Sequence, residues 1–321
     1  MRPPTGIQYD LTLQTPRGTA RAVVTEVAAG LRVYSVNGID LVETFPEASQ
    51  PPMAAGIVLV PWPNRIRDGR WTQNGVTRQL AVTEPARRNA IHGLLRFAPY
   101  REISRTAPSV TLAATVFPQS GYPFHLDTEV TYALTDDGLN VTHRLHNVGS
   151  EAAPVAVGAH PYLKIGDLPT GDLTVRVDAA THIDVDDRLN PLGETPVDGT
   201  RFDLRAGVTI GELDLDDGFG GVGIKAEHTL TAPDGRRVTL WGDENMRYVQ
   251  VFTPRIFPVS AAGVEPMGGQ EIAGQAIAIE PMTAPADAFN SGAGLHWLEP
   301  GGQWVVRWGI RHAGFDSHSQ S

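Results

Sequence analysis

Between Phe124 and Leu145 the chain reads FHLDTEVTYALTDDGLNVTHRL, and this alternation constrains the fold more than any other feature. Leu126, Thr128, Val130, Tyr132 and Leu134 share one face at the two-residue period of a strand. Leu139, Val141, His143 and Leu145 resume the pattern after Asp136-Asp137-Gly138. The spacing predicts a hairpin, with Gly138 supplying the positive φ of a tight turn. Asn37-Gly38, Asn74-Gly75 and Asp234-Gly235 punctuate similar runs. With 34 Gly and 25 Pro, and no long stretch of helical periodicity, the chain reads as all-β, a large antiparallel sandwich or barrel.

No Gly/Ser linker or repeat divides the 321 residues, so a single domain over 1–321 is expected. Asp184 to Gly211 is rich in Asp, Pro and Gly and reads as a long irregular excursion, the kind of loop that shapes binding sites. The polar tail from about residue 312 is expected to fray at its end. A net charge of -10 argues against nucleic acid, which needs a basic field. There is no cysteine, so thiolate catalysis and cysteine-ligated metal sites are absent. The N-terminus lacks the apolar core of a signal peptide, and no apolar run approaches 18 residues. The expectation is a cytoplasmic protein with no membrane partner, and a monomer and a homodimer are both compatible with it.

Four separated segments combine turn residues with chemistry-bearing side chains: Asn64-Arg65-Ile66-Arg67-Asp68-Gly69, Asn89-Ala90-Ile91-His92-Gly93, Gly158-Ala159-His160-Pro161-Tyr162, and Ala278-Ile279-Glu280-Pro281-Met282-Thr283. Each alone fits a structural role, as a turn, a solvated loop or a strand end. His143 lies on the apolar face and fits a hydrogen-bonded core role. His182 sits beside Asp184, Asp186 and Asp187, but that spacing fits no cation-loop template, and no metal site is assigned.

Taken in order, these segments resemble the aldose 1-epimerase (galactose mutarotase) family over nearly the full length. In that resemblance Arg65 aligns with a sugar-binding arginine, His92 with a family histidine and His160 with the catalytic acid. Leu215-Asp216-Asp217-Gly218-Phe219 places Asp216 on a sugar-binding aspartate. The run AIEPMTAPADAFNSGAGLHWLEPGG is the most specific, and its Glu280 aligns with the catalytic base. Leu163-Lys164 after the His-Pro-Tyr core, and Asp217-Gly218 after the aspartate, depart from galactose-specific members. They place the chain in a less-characterised branch.

The resemblance implies a galactose mutarotase-like supersandwich and a cofactor-free acid–base reaction on a free monosaccharide. Glu280 would take the C1 hydroxyl proton while His160 protonates the ring oxygen O5, and reclosure on the other carbonyl face inverts the anomer. His92 would lie near O5, Arg65 and Asp216 would bind sugar hydroxyls, and Asn64 would fix the loop beside Arg65. Tyr162, Trp241 and Phe252 are candidate aromatic contacts to the sugar. Two other readings are a hexose-6-phosphate 1-epimerase using Arg65, Arg67 and Arg70, and a carbohydrate-binding protein without catalysis.

Overall fold

A computed structural model describes residues 2–258 and 273–315. Its architecture is all-β. A nine-stranded antiparallel sheet runs in the spatial order Arg101–Arg105, Ser109–Val116, Leu126–Thr135, Gly138–Asn147, Gln303–Ala313, Arg237–Gly242, Glu227–Thr231, Thr174–Arg176, Val208–Thr209. An eight-stranded sheet has Asp216–Gly220, Tyr248–Phe252 and Ile277–Met282 as adjacent central strands, with Gly158–Ala159 and Tyr162–Leu163 both pairing with Ile277–Met282. The first forty residues add a four-stranded sheet. One contiguous apolar cluster takes side chains from all three, from Tyr9 to Phe315.

The hairpin expected around residue 136 forms, and its burial alternates residue by residue, with Leu126, Thr128, Val130, Tyr132 and Leu134 buried. The turn chemistry differs from expectation. Thr135 pairs with Gly138, so Asp136-Asp137 make the turn and Gly138 already belongs to the strand, without a left-handed backbone. A Cβ at Gly138 would collide with the Ile310 carbonyl oxygen, so glycine is needed there for the close approach of the neighbouring strand. Asn37-Gly38 and Asn74-Gly75 do have positive φ at both residues, the pattern of a type I′ hairpin turn.

One further expectation is corrected. The Asp184–Gly211 excursion contains the strand Pro191–Pro196, which pairs with Thr181–Val185 and so extends the eight-stranded sheet. The final strand carries on through Ala313 and Phe315 is buried, while the end of the tail, where fraying is expected, lies outside the described residues. Among the described residues the only α-helix is the single turn Ala288–Ser291, and no helix is long and apolar enough to cross a membrane.

The pleat of the eight-stranded sheet decides where chemistry can sit. Gly218 pairs with Gln250 and Gln250 with Glu280, while Asp216 pairs with Phe252 and Phe252 with Ala278. Side chains alternate between faces, so Asp216, Gln250, Phe252 and Glu280 share one face. Val249, Val251, Ile277 and Ile279 point the other way, into the main core. The same rule splits the Asp216-Asp217 dipeptide, sending the two carboxylates to opposite faces.

Candidate active site

Glu280 is the single carboxylate in a strand that is buried along its whole length, Ile277–Met282. It projects onto the floor of a cavity of about 340 Å³, within the size range of small-molecule sites. His160 reaches the same floor from the link between Gly158–Ala159 and Tyr162–Leu163. Its backbone is pinned on both sides, by His160 N–H to the Ile57 carbonyl (3.1 Å) and Gly56 N–H to the His160 carbonyl (2.8 Å). His160 Nε2 stands 3.3 Å from Glu280 Oε1.

The wall comes from a short ribbon in which Arg65–Ile66 pairs with Ala90–Ile91. Asn64 and His92 lie at its end, both with left-handed backbones (φ 53° and 62°), joined by a His92 N–H bond to the Asn64 carbonyl at 2.9 Å. Two non-glycine residues in this conformation are held there by the surrounding pairing, and that backbone aims both side chains at the cavity. The His92 and His160 rings meet edge to face with centroids 5.4 Å apart.

Around these groups runs a closed ring of polar side chains. Arg65 Nη1 donates to Asn64 Oδ1 (3.4 Å) and Asn64 Nδ2 donates to Gln250 Oε1 (3.1 Å). Gln250 Nε2 donates to Asp216 Oδ1 (2.8 Å), and Asp216 Oδ2 faces Arg65 Nη2 at 3.6 Å. Glu84 holds the other edge of Arg65 in a two-pronged contact of 2.9 and 3.0 Å. Asp287 braces the segment from outside: its N–H donates to the Arg65 carbonyl (2.6 Å) and its carboxylate accepts from Arg67 N–H (2.9 Å). Ring members are thus oriented before any ligand arrives.

In contrast, His92 Nδ1, His160 Nδ1 and Glu280 Oε2 are buried without a hydrogen-bond partner among the described residues. Buried polar atoms are otherwise almost always paired, so three unpaired ones in one cavity mark a place built for exchangeable partners. Burial dominates their titration. It pushes the His160 imidazole down to about 3 and Glu280 well above the ordinary carboxylate range, with the neighbouring Asp216 charge adding to the second effect. His92 is driven well down by burial and by the fields of His160, Arg96 and Arg65. Both shifts favour the neutral forms of the two groups, which stand 3.3 Å apart.

The six non-aromatic residues named for the anomeric reaction all line one cavity, Asn64, Arg65, His92, His160, Asp216 and Glu280, whereas Arg67 and Arg70, named for a phosphorylated sugar, are not among its lining residues. Of the three aromatics, Phe252 lines it. Tyr162 stacks behind His160 at 5.1 Å and donates its hydroxyl to the Met53 carbonyl (3.2 Å), so it supports the histidine instead of facing the cavity. Trp241 lies in the nine-stranded sheet under the Arg311 guanidinium, away from the cavity, and its role is packing. Sequence reasoning missed Gln250, Glu84, Arg87 and Arg96. Gln250 did leave a signal, as the one amide in the apolar strand Tyr248–Phe252. Among the described residues no group of three His, Asp or Glu is placed to hold a metal.

The aldose 1-epimerase family model matches residues 9–311. The uncharacterized Escherichia coli protein YihR is 33% identical over 292 residues, covering 90% of this chain and 89% of its own. Human galactose mutarotase is 33% identical over 156 residues, 46% of this chain and 44% of that one. Among solved structures, a GalM/aldose epimerase homologue from C. elegans superposes with a TM-score of 0.81 at 18% identity, covering 96% and 99% of the two chains. A putative aldose 1-epimerase from Escherichia coli K12 superposes with a TM-score of 0.78 over the same shares. The two large antiparallel sheets are those of the galactose mutarotase-like sandwich, and with 303 consecutive residues spanned by the family model, this chain belongs to the aldose 1-epimerase family.

Proposed function

We propose that this protein interconverts the α and β anomers of a free aldose through its open-chain aldehyde, with Glu280 as base and His160 as acid. The observation that carries the reading is the 3.3 Å contact between His160 Nε2 and Glu280 Oε1 on the floor of a cavity where Glu280 Oε2 has no other partner. A sugar hydroxyl donating to Oε2 stabilises the carboxylate form of Glu280. The proton then crosses to His160, which creates the active pair, a carboxylate and an imidazolium.

Ring opening follows as two proton transfers and one bond cleavage. Glu280 removes the C1 hydroxyl proton, the C1–O5 bond breaks as the C1 carbonyl forms, and His160 delivers its proton to O5. Rotation about C1–C2 presents the other carbonyl face, and the same transfers in reverse close the ring. Nothing is oxidised or reduced, and both groups return to their starting states. Arg65, Asp216 and Gln250 meet hydroxyls with a rigid set of donors and acceptors, so little ordering is left for the moment of reaction. His92 holds the sugar on the O5 side, and Phe252 offers an apolar face.

Membership in the family supports a sugar isomerase, and the mutarotase relatives support the anomeric reaction. Polarimetry on freshly dissolved α-aldoses tests it. The wild-type chain is expected to speed the approach to equilibrium rotation, and a rate equal to buffer for every aldose tried would refute the reading.

A further inference from the structure

We propose that the aldose taken by this site carries an oxyanion at its C6 end, held by Arg96 with help from Arg87. The inference rests on the anomeric reading above and names the substrate class of that site.

Three guanidinium groups line the cavity, Arg65, Arg87 and Arg96. Arg65 is matched by Glu84 on one edge and faces Asp216 on the other. Arg87 shares the same Glu84, through Nη1 at 3.2 Å. For Arg96, no described residue offers a carboxylate within ion-pair distance, the Glu84 field that reaches it is already shared by Arg65 and Arg87, and its Nε is buried without a hydrogen-bond partner. The guanidinium rests over the Phe97 ring at 4.8 Å, a contact that orients the cation without cancelling its charge. Glu84 is shared by Arg65 and Arg87 and Asp216 faces Arg65, so the carboxylates lining the cavity leave Arg96 as its least matched cation. A pocket for neutral hydroxyls has no use for such a cation, because keeping a partly buried charge unpaired is costly. An oxyanion cancels it, and the planar guanidinium fork matches a carboxylate or a tetrahedral oxyanion in two-pronged fashion.

Position singles out C6. Arg87, His92 and Arg96 all come from the wall segment 83–96, which begins at Thr83 and Glu84. On the anomeric reading His92 lies on the O5 side of the sugar, and C6 hangs from C5, the ring carbon bonded to O5. A charge at C6 therefore falls on the arginine wall, away from C1. It also assists the chemistry. Arg96 is among the cations that disfavour a protonated His160, and an anion bound on Arg96 offsets that field where the acid must acquire its proton.

The test compares anomer exchange, followed by NMR magnetisation transfer, for glucose, glucuronate, glucose 6-phosphate and glucose 6-sulfate. The four arms separate a planar carboxylate, a tetrahedral dianion and a tetrahedral monoanion from the neutral sugar. At least one anionic sugar is expected to show a kcat/KM about tenfold or more above glucose, as one charge-assisted contact supplies. Its KM is expected to rise with added salt while that of glucose stays flat. Arg96→Gln, and separately Arg87→Gln, should shrink the ratio of anionic to neutral kcat/KM. Glucose turned over as well as every anionic sugar, or a ratio unmoved by Arg96→Gln, overturns the proposal and leaves the anomeric reaction standing. Exchange no faster than buffer for all four sugars overturns both.

Discussion

Two histidines in this molecule sit against carboxylates, both nearly closed to solvent with His160 the more deeply buried, and their surroundings shift them in opposite directions. His160 is 4% exposed and has one carboxylate neighbour, Glu280, itself 2% exposed. His182 is also 4% exposed, but each ring nitrogen has its own carboxylate, Asp184 Oδ1 at 3.0 Å and Asp217 Oδ1 at 2.8 Å, and the ring stacks on Phe202. Burial alone would lower both. At His160 it prevails and the imidazole falls to about 3. At His182 the two hydrogen-bonded carboxylates, one of them with a side chain 42% exposed, overcome it and raise the imidazole. The difference is one of completeness. His182 has every lone pair and proton matched and acts as a rivet on the back of the strand that presents Asp216. His160 and Glu280 are left with unmatched atoms, the state the proposed acid–base pair needs before a substrate supplies the missing partners.

Substitutions can break this contrast from either side. The largest expected effect is on the incomplete pair: Glu280→Gln should lower kcat by about 10³-fold, within the range for loss of a general acid–base group. Polarimetry reads this, and an unchanged melting curve would show that the fold survives. At the complete cluster the outcome should invert. His182→Ala leaves the mostly buried Asp217 with only the Asp216 N–H on Oδ2 and no donor on Oδ1, and denaturant unfolding should show a loss of about 2 kcal/mol while kcat stays within a few-fold. Stability unaffected by this change would end the rivet reading.

Asp287→Ala lies between the two classes, since Asp287 ties the backbone on both sides of Arg65. It should raise KM about tenfold with a smaller change in kcat, as loss of a positioned binding group does. The smallest effect is on the pH dependence of stability. The raised His182 contributes stability that is fully present below its unfolded pKa near 6.5 and is lost as pH rises through the higher folded value. The depressed His160 works the other way, with stability present above about 6.5 and lost as pH falls toward its folded value. His182→Gln should therefore flatten the alkaline side of a stability–pH curve, and His160→Asn the acid side. Matching curves for the two variants would erase the distinction drawn between the sites.

The strands were legible because their code is local. Leu126 to Leu145 announce a hairpin through a two-residue period, and Asn37-Gly38 and Asn74-Gly75 mark turns through backbone sterics, both readable within ten residues. Gly138 shows where that reading stops. Its glycine is needed by the Ile310 carbonyl, contributed by a strand more than 160 residues later. The same holds for Trp241, which read as a sugar contact and is placed in the other sheet by pairing with Gly309.

For the cavity, the ordered segments around Asn64, Arg65, His92, His160, Asp216 and Glu280 named side chains that the fold brings to one place. Residue type and motif carry identity, so these were visible in one dimension. The sequence by itself thus determined an all-β chain, its hairpins, and the acid and base types available for proton transfer. Tertiary structure alone decided which groups are complete. Register put Gln250 beside Glu280 and sent Asp216 and Asp217 to opposite faces, and packing left Arg96 with no carboxylate at ion-pair distance among the described residues while His182 received two. Pairing and desolvation are properties of neighbours distant in the chain, and no local pattern encodes them.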